Sequence, residues 1–189
     1  DPQGNPYADP AELARRIVAA VSITGIGLTL LPVLYAHAGF GGTPPAAGQR
    51  RFVHTLDSYA RLFATLARDA ATAQWNLGVA PHSLRAVTPD ELDAVVALAA
   101  SGAPIHIHAA EQVQEVTACL AWIGVRPIEW LLDHAGLDAR WCVVHATHMT
   151  PDEVARLAAS AAIAGLAPTT EADLGDGTFP GLAYLTAGG

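Results

Sequence analysis

The sequence predicts an α/β fold, a partial TIM-like (β/α)8 barrel, and three observations carry the prediction. Strand-like apolar runs alternate with helical periodicity along the whole of the 189 residues, the order that parallel strands joined by crossover helices produce. The runs are nearly continuous in apolar residues, as strands covered on both faces are. Histidines, carboxylates and an arginine collect just after several different runs. A barrel draws its chemistry from many strand ends in this way, whereas an open sheet uses one crevice.

The elements follow in order. Residues 1–9 are polar and rich in turn formers, and Pro10 then opens a helical pattern with Asp9 as its cap and Leu13, Ile17 and Ala20 on one side. The stretch Val21 to Ile23 reads less like an ordinary helix end. Ile26 to Leu34 (IGLTLLPVL) is the first strand, and Tyr35 to Arg51 is a Gly/Pro-rich loop of 17 residues, expected to serve as a lid or substrate-binding loop. A helix over Leu56 to Ala70 places Tyr59, Leu62, Phe63 and Leu66 on its buried stripe. Trp75 to Ser83 is the second strand. Thr88, Pro89 and Glu91 then form a capping box with proline at the first helical position, ahead of an apolar face of Leu92, Val95, Val96 and Ala99.

Pro104 to Ala110 (PIHIHAA) is the third strand, followed by helical segments through Glu115 to Cys119 and Pro127 to Ala135. Trp141 to Thr147 is the fourth. Thr150, Pro151 and Glu153 repeat the cap arrangement for a helix reaching about Ser160, and Ala162 to Thr170 is the fifth strand, leading into the turn-forming stretch EADLGDG. Five strands fall short of the eight that a barrel of about 250 residues contains. The expectation is one incomplete barrel domain over residues 1–189, with N- and C-terminal parts missing and unpaired strand edges through which it could associate.

Composition narrows the function. Hydrophobic residues make up 51% and charged residues 15%, a mixture that argues for a packed core and against disorder. The net charge of −8, with 10 basic against 18 acidic residues and no basic run, argues against a nucleic-acid partner but leaves room for a small acidic substrate held by a few arginines. No apolar run approaches the 18 or so residues needed to cross a bilayer, so no membrane partner is expected. Cys119 and Cys142 read as buried thiols in a reducing, cytoplasmic compartment.

The candidate chemistry lies at the strand ends: His82 and Arg85, His108 and Glu111, His145 and His148, Glu171 and Asp173. His106 and His108 alternate with Ile105 and Ile107, so both imidazoles face one way, a moderate zinc signal that competes with two hydrogen-bonded core histidines. His106 is the more ordinary of the two. Glu111 could take a proton from an activated water and hand it to a leaving nitrogen, or simply favour a helix N-terminus. His145 follows four hydrophobic residues and needs a partner there, either a metal or the attacking water; His148 reads as a loop or cap residue. Arg85 could grip a substrate carboxylate with His82 beside it, or lie on the surface. No G-x-S-x-G elbow surrounds Ser83, and neither cysteine sits in an activating context.

The stretches LTLLPVLY, QRRF, GVAPHSLRAV, IHIHAAEQ, GVRPIEWLLD, RWCVVHATHMT and GLAPTTEADLGDG together resemble the formiminoglutamate deiminases of the amidohydrolase superfamily, in the family's order and over barrel strands 3 to 7. IHIHAAEQ alone would point only to the superfamily. The resemblance implies a metal-dependent hydrolase of the TIM-barrel type, which converts N-formimino-L-glutamate and water to N-formyl-L-glutamate and ammonia in histidine degradation. It implies one divalent metal, zinc, with His108 as the ligand from the fifth strand. It implies Glu111 as proton shuttle, His145 at the end of the sixth strand as the group that orients or polarises the water, and Arg85 with His82 as binders of the glutamate portion. His106 is not a ligand in the family's pattern.

The first-strand H-x-H and the eighth-strand Asp of that pattern have no match here, so the chain alone is expected to bind zinc weakly and to be inactive. A homodimer is compatible with this reading. Two alternatives stay open: a related amidohydrolase acting on another amidine, guanidine or aminated ring, and a truncated, non-catalytic module.

Overall fold

Pro32 divides the first apolar run. It has no N–H to place in a ladder, and its carbonyl instead accepts from Ala80 N–H at 3.1 Å and Tyr59 Oη at 3.0 Å. The expected strand over residues 26–34 is therefore two short strands, β1 (Thr29–Leu30) and β2 (Val33–Leu34). The computed structural model describes residues 3–73 and 75–189; Asp1 and Pro2, the start of the polar leading block, lie outside them. The fold is α/β, with strands gathered into two two-stranded sheets and one three-stranded sheet that do not close into a single eight-stranded barrel. The chain forms two compact units, one of residues up to Pro81 with Ala86–Ile105, the other of His82–Arg85 with His106–Gly189.

In the first unit, α1 (Glu12–Thr24) runs through the stretch that read as an irregular helix end and stops at Gly25, whose φ of 73° closes it. The helix starts later than expected, with Ala11 rather than Asp9 at its N-cap and no side-chain cap; Asp9 instead holds the preceding turn, its Oδ1 accepting from Ala11 N–H at 2.9 Å. Leu13 and Ile17 remain 61% and 49% exposed, so the expected apolar side of α1 is not buried here. The long loop is partly ordered: Gly39 and Thr43 bridge, and a 3-10 helix covers Ala47–Phe52. Helix α2 (Leu56–Ala70) buries the four residues of its expected stripe, and Leu62 and Leu66 pack with Leu30 and Ala11.

Strands β3 (Asn76–Leu77) and β4 (Ala80–Pro81) pair in parallel with β1 and β2, Thr29 opposite Asn76 and Val33 opposite Ala80. Gly78 separates them because a Cβ there would lie 2.3 Å from Pro104 O. Helix α3 (Pro89–Leu98) carries the expected capping box of Thr88 and Glu91 and buries Leu92 and Val95; Val96 and Ala99 are only half-buried.

The second unit centres on the sheet β5-β6-β7, with β5 at Ile105–Ala109, β6 at Trp141–His145 and β7 at Ile163–Gly165. Burial alternates along β5 as the period-two pattern requires: Ile105, Ile107 and Ala109 are buried, His106 and His108 half-buried. β6 and β7 are parallel, Cys142 opposite Ile163. The helices are α4 (Val113–Ile123), α5 (Pro127–His134) and α6 (Pro151–Ala159), the last with the expected Thr150–Glu153 capping box. The fifth strand is shorter than expected. Pro168 starts α7 (Pro168–Leu174), so PTTEADL is helical rather than strand and turn. Helix α8 (Gly181–Thr186) follows, and its Tyr184 hydroxyl donates to Ala162 O at 2.6 Å.

Candidate active site

All five residues singled out for the site belong to the second unit. His82 and Arg85 come from the segment before α3; Ser83 of that segment bridges to His108 in parallel. The carbonyl of His82 accepts twice from His108, from the backbone N–H at 2.9 Å and from ring Nδ1–H at 2.8 Å. This fixes the His108 tautomer with Nε2 as its free lone pair, the form in which a histidine binds metal. The His82 ring stacks on His108 with centroids 4.7 Å apart, its Nδ1 lying 3.1 Å from Ser83 Oγ. Burial, reinforced by His108 and Arg85, pushes the His82 imidazole down to about 4. His108 is also lowered, burial again outweighing the hydrogen bond to His82.

His145 closes β6. Its ring lies 5.5 Å from that of His108, and its two nitrogens meet two carboxylates: Nε2 is 3.3 Å from Glu111 Oε1, and Nδ1 is 3.0 Å from Glu171 Oε1. The partner that burial of this histidine demands is therefore a carboxylate pair. Glu111 sits ahead of α4, in a turn held by Glu115, whose buried carboxylate accepts from Ala110 N–H at 3.1 Å and Glu111 N–H at 3.0 Å. Burial raises the Glu115 carboxyl above the ordinary range. Arg85 Nε is buried without a hydrogen-bond partner among the described residues, an orphaned charged donor of the kind that a ligand carboxylate satisfies.

His106 shares the His108 side of β5 and is lowered mainly by burial. His148 anchors a loop, its Nε2 2.6 Å from Asp176 O. Cys119 and Cys142 are free and buried, the Cys119 thiol pushed up to about 12 by burial, so neither is an activated nucleophile.

Two groups central to this geometry had been given no role from the sequence. Glu171 stood among the strand-end carboxylates, but placing it on His145 required the α7 turn. Glu115 had only its position four residues after Glu111 as a signal.

For zinc, the arrangement fits in one respect only. His108 presents a suitable nitrogen, but no group of three His, Cys, Asp or Glu residues among the described residues could hold a metal ion. Zinc sites need about four donors, so these residues do not by themselves make a metal centre.

Residues 9–189 match the model of the amidohydrolase family, and the chain belongs to that family. It is 53% identical to the formimidoylglutamate deiminase of Pseudomonas aeruginosa PAO1, over 100% of this chain and 42% of the relative. Among solved structures it is similar to an amidohydrolase from Brucella melitensis, with 55% identity, a TM-score of 0.94, and coverage of 99% of this chain and 42% of that one. It also shares the fold of an atrazine chlorohydrolase from Arthrobacter aurescens TC1 complexed with zinc, at 21% identity and a TM-score of 0.75, over 93% of this chain and 39% of that one. The chain thus spans about two-fifths of the length of these relatives.

Proposed function

We propose that the protein containing these 189 residues hydrolyses the C–N bond of N-formimino-L-glutamate, giving N-formyl-L-glutamate and ammonia in histidine degradation. The observation that carries this reading is the approach of Glu111 Oε1 to His145 Nε2, 3.3 Å, beside a histidine whose Nε2 is free. A carboxylate so placed can take a proton from water as oxygen bonds to the formimino carbon. It can then deliver that proton to the nitrogen and relay the second one from the new hydroxyl, so that the C–N bond breaks as C=O forms and ammonia leaves. In this reading His145 hydrogen-bonds the attacking oxygen. Arg85, whose Nε has no hydrogen-bond partner among the described residues, in the same reading grips a substrate carboxylate with His82 beside it. The 53% identity to a formimidoylglutamate deiminase supports this substrate over other amidines or aminated rings.

Zinc belongs to this proposal as the metal of the whole protein, with His108 as one ligand and the remaining donors outside these 189 residues. The two free, buried cysteines accord with a cytoplasmic setting. The test is ammonia release by the full-length protein from N-formimino-L-glutamate, with guanine and cytosine as controls. Glu111→Gln should lower turnover by about 100-fold or more, the scale of a lost general acid–base, while bound metal is unchanged. Ammonia from a ring substrate instead, or full turnover in the variant, would overturn the reading.

A further inference from the structure

We propose that Glu171 is a positioning residue: its carboxylate holds the Nδ1–H of His145 and thereby turns Nε2 toward Glu111. This rests on the roles just proposed for Glu111 and His145. The Glu171 Oε1 atom accepts from His145 Nδ1 at 3.0 Å and from Ala167 N–H at 2.9 Å. The residue is itself fixed by its backbone, N–H to Ala167 O at 3.0 Å and carbonyl from Asp176 N–H at 2.9 Å. Glu171 is 6% exposed, and among the described residues its one ion-pair partner is this imidazole. A carboxylate is buried at a cost unless it is paired and hydrogen-bonded. Here the cost is offset by a contact whose geometric product is one ring orientation, with a proton held on Nδ1.

The alternative orientation shows what is at stake. Turning the ring by half a revolution about its Cβ–Cγ bond would put carbon where each nitrogen now sits. Nε2 would then no longer face Glu111, which lies 3.3 Å away in the observed orientation. A carboxylate on the distal nitrogen prevents this in other histidine-based sites, where it selects the tautomer without reacting itself. Glu171 touches neither Glu111 nor Arg85 in any ion pair or hydrogen bond among the described residues. Its effect would run through His145 alone.

The experiment uses the full-length protein and the variants Glu171→Ala and Glu171→Gln. In Glu171→Ala, kcat should fall by about 100-fold or more, up to the roughly 10⁴-fold seen when a triad imidazole loses its orienting carboxylate. KM should stay within about threefold, because the candidate substrate grips are untouched. Glu171→Gln should recover to within about tenfold of wild type: Ala167 N–H requires an acceptor, so the amide oxygen takes the position of Oε1 and still receives Nδ1–H. Nitrogen-15 NMR of the His145 ring should show a proton on Nδ1 in wild type and in Glu171→Gln. In Glu171→Ala that signal should weaken or be lost.

A merely structural role would lower the amount of folded protein without splitting kcat from KM. Wild-type kcat in Glu171→Ala, or an Nδ1 without its proton in wild type, would overturn the inference. Should Glu171→Ala fail to fold, Glu171→Gln and the wild-type ring signals decide it. Should the wild-type protein leave N-formimino-L-glutamate untouched, the activity reading fails by itself, and the ring signals still decide whether Glu171 sets the tautomer.

Discussion

Replacing Glu115 by alanine removes the only acceptors that the turn carrying Glu111 is given among the described residues. Both carboxylate oxygens are in use, Oε1 by Ala110 N–H at 3.1 Å and Oε2 by Glu111 N–H at 3.0 Å. Ala110 is fully buried, so its N–H cannot turn to water instead. Two orphaned donors at roughly 1–3 kcal/mol each, one of them partly recovered by solvent, put the loss near 3 kcal/mol, or about 150-fold in the folding equilibrium. Glu115→Gln keeps one acceptor oxygen and should cost about 1–2 kcal/mol.

The assay is urea unfolding at several pH values. Burial raises the folded-state carboxyl above its ordinary value of 4.5, so wild type gains from protonating Glu115 in the folded state. This contribution is fully present below about 4.5 and is lost as pH rises through the folded-state value. The stability of wild type relative to Glu115→Gln should therefore decline as pH rises from 4.5. A pH-independent difference, or an alanine variant within about 1 kcal/mol of wild type, would refute the account.

Two further outcomes follow from single contacts. Gly78→Ala would place its Cβ 2.3 Å from Pro104 O and 2.6 Å from Leu31 Cδ2, and that carbonyl is already held by Val79 N–H at 3.0 Å. Overpacking against fixed backbone costs about 2 kcal/mol, which should lower Tm by about 4–8 °C in a scanning calorimeter; an unchanged Tm would show that the strand can shift. His82, pushed down to about 4 by burial, contributes stability above about 6.5 that is lost as pH falls through 4, roughly 3 kcal/mol in all. His82→Gln should flatten the urea midpoint between pH 7 and 4, and two parallel curves would sink this assignment.

What could be read from the sequence was whatever short-range chemistry decides. The stripe Tyr59, Leu62, Phe63 and Leu66 and the capping boxes at Thr88 and Thr150 appear where periodicity and cap residues placed them. So does the alternation of His106 and His108 with Ile105 and Ile107. The failures have local causes that a hydrophobic pattern does not weigh. Pro32 divides one strand, and Pro168 converts the end of another into helix. Leu13 and Ile17 keep a helical period without a surface to cover them here. At the candidate site, strand-end position singles out Glu111, His145 and Arg85, of which the structure brings Glu111 and His145 into contact. The partners of the site were hidden because they are settled by tertiary contact: a backbone carbonyl 26 positions from His108, and a carboxylate 26 positions from His145.

The backbone explains why those contacts converge. Ala110, His145 and Ala146 have φ values of 52°, 71° and 47°, in the left-handed region that residues with a Cβ adopt at a cost. All three lie at the ends of β5 and β6, beside Glu111. Each such residue costs of order 1 kcal/mol or more and persists only where its surroundings leave no alternative. Here the surroundings do so. Ala110 N–H is held by Glu115, and Ala110 O accepts from His148 N–H at 3.0 Å; Ala146 N–H reaches Ala109 O at 3.1 Å; the His145 ring is held by Glu171. A regular strand exit would keep Glu111 on the Ala109 side of β5, opposite His106 and His108. The left-handed turns break that alternation and bring a carboxylate oxygen and an imidazole nitrogen to 3.3 Å. Backbone strain at the strand ends, balanced by two buried glutamates, is thus what turns two adjacent strands into one candidate reaction centre.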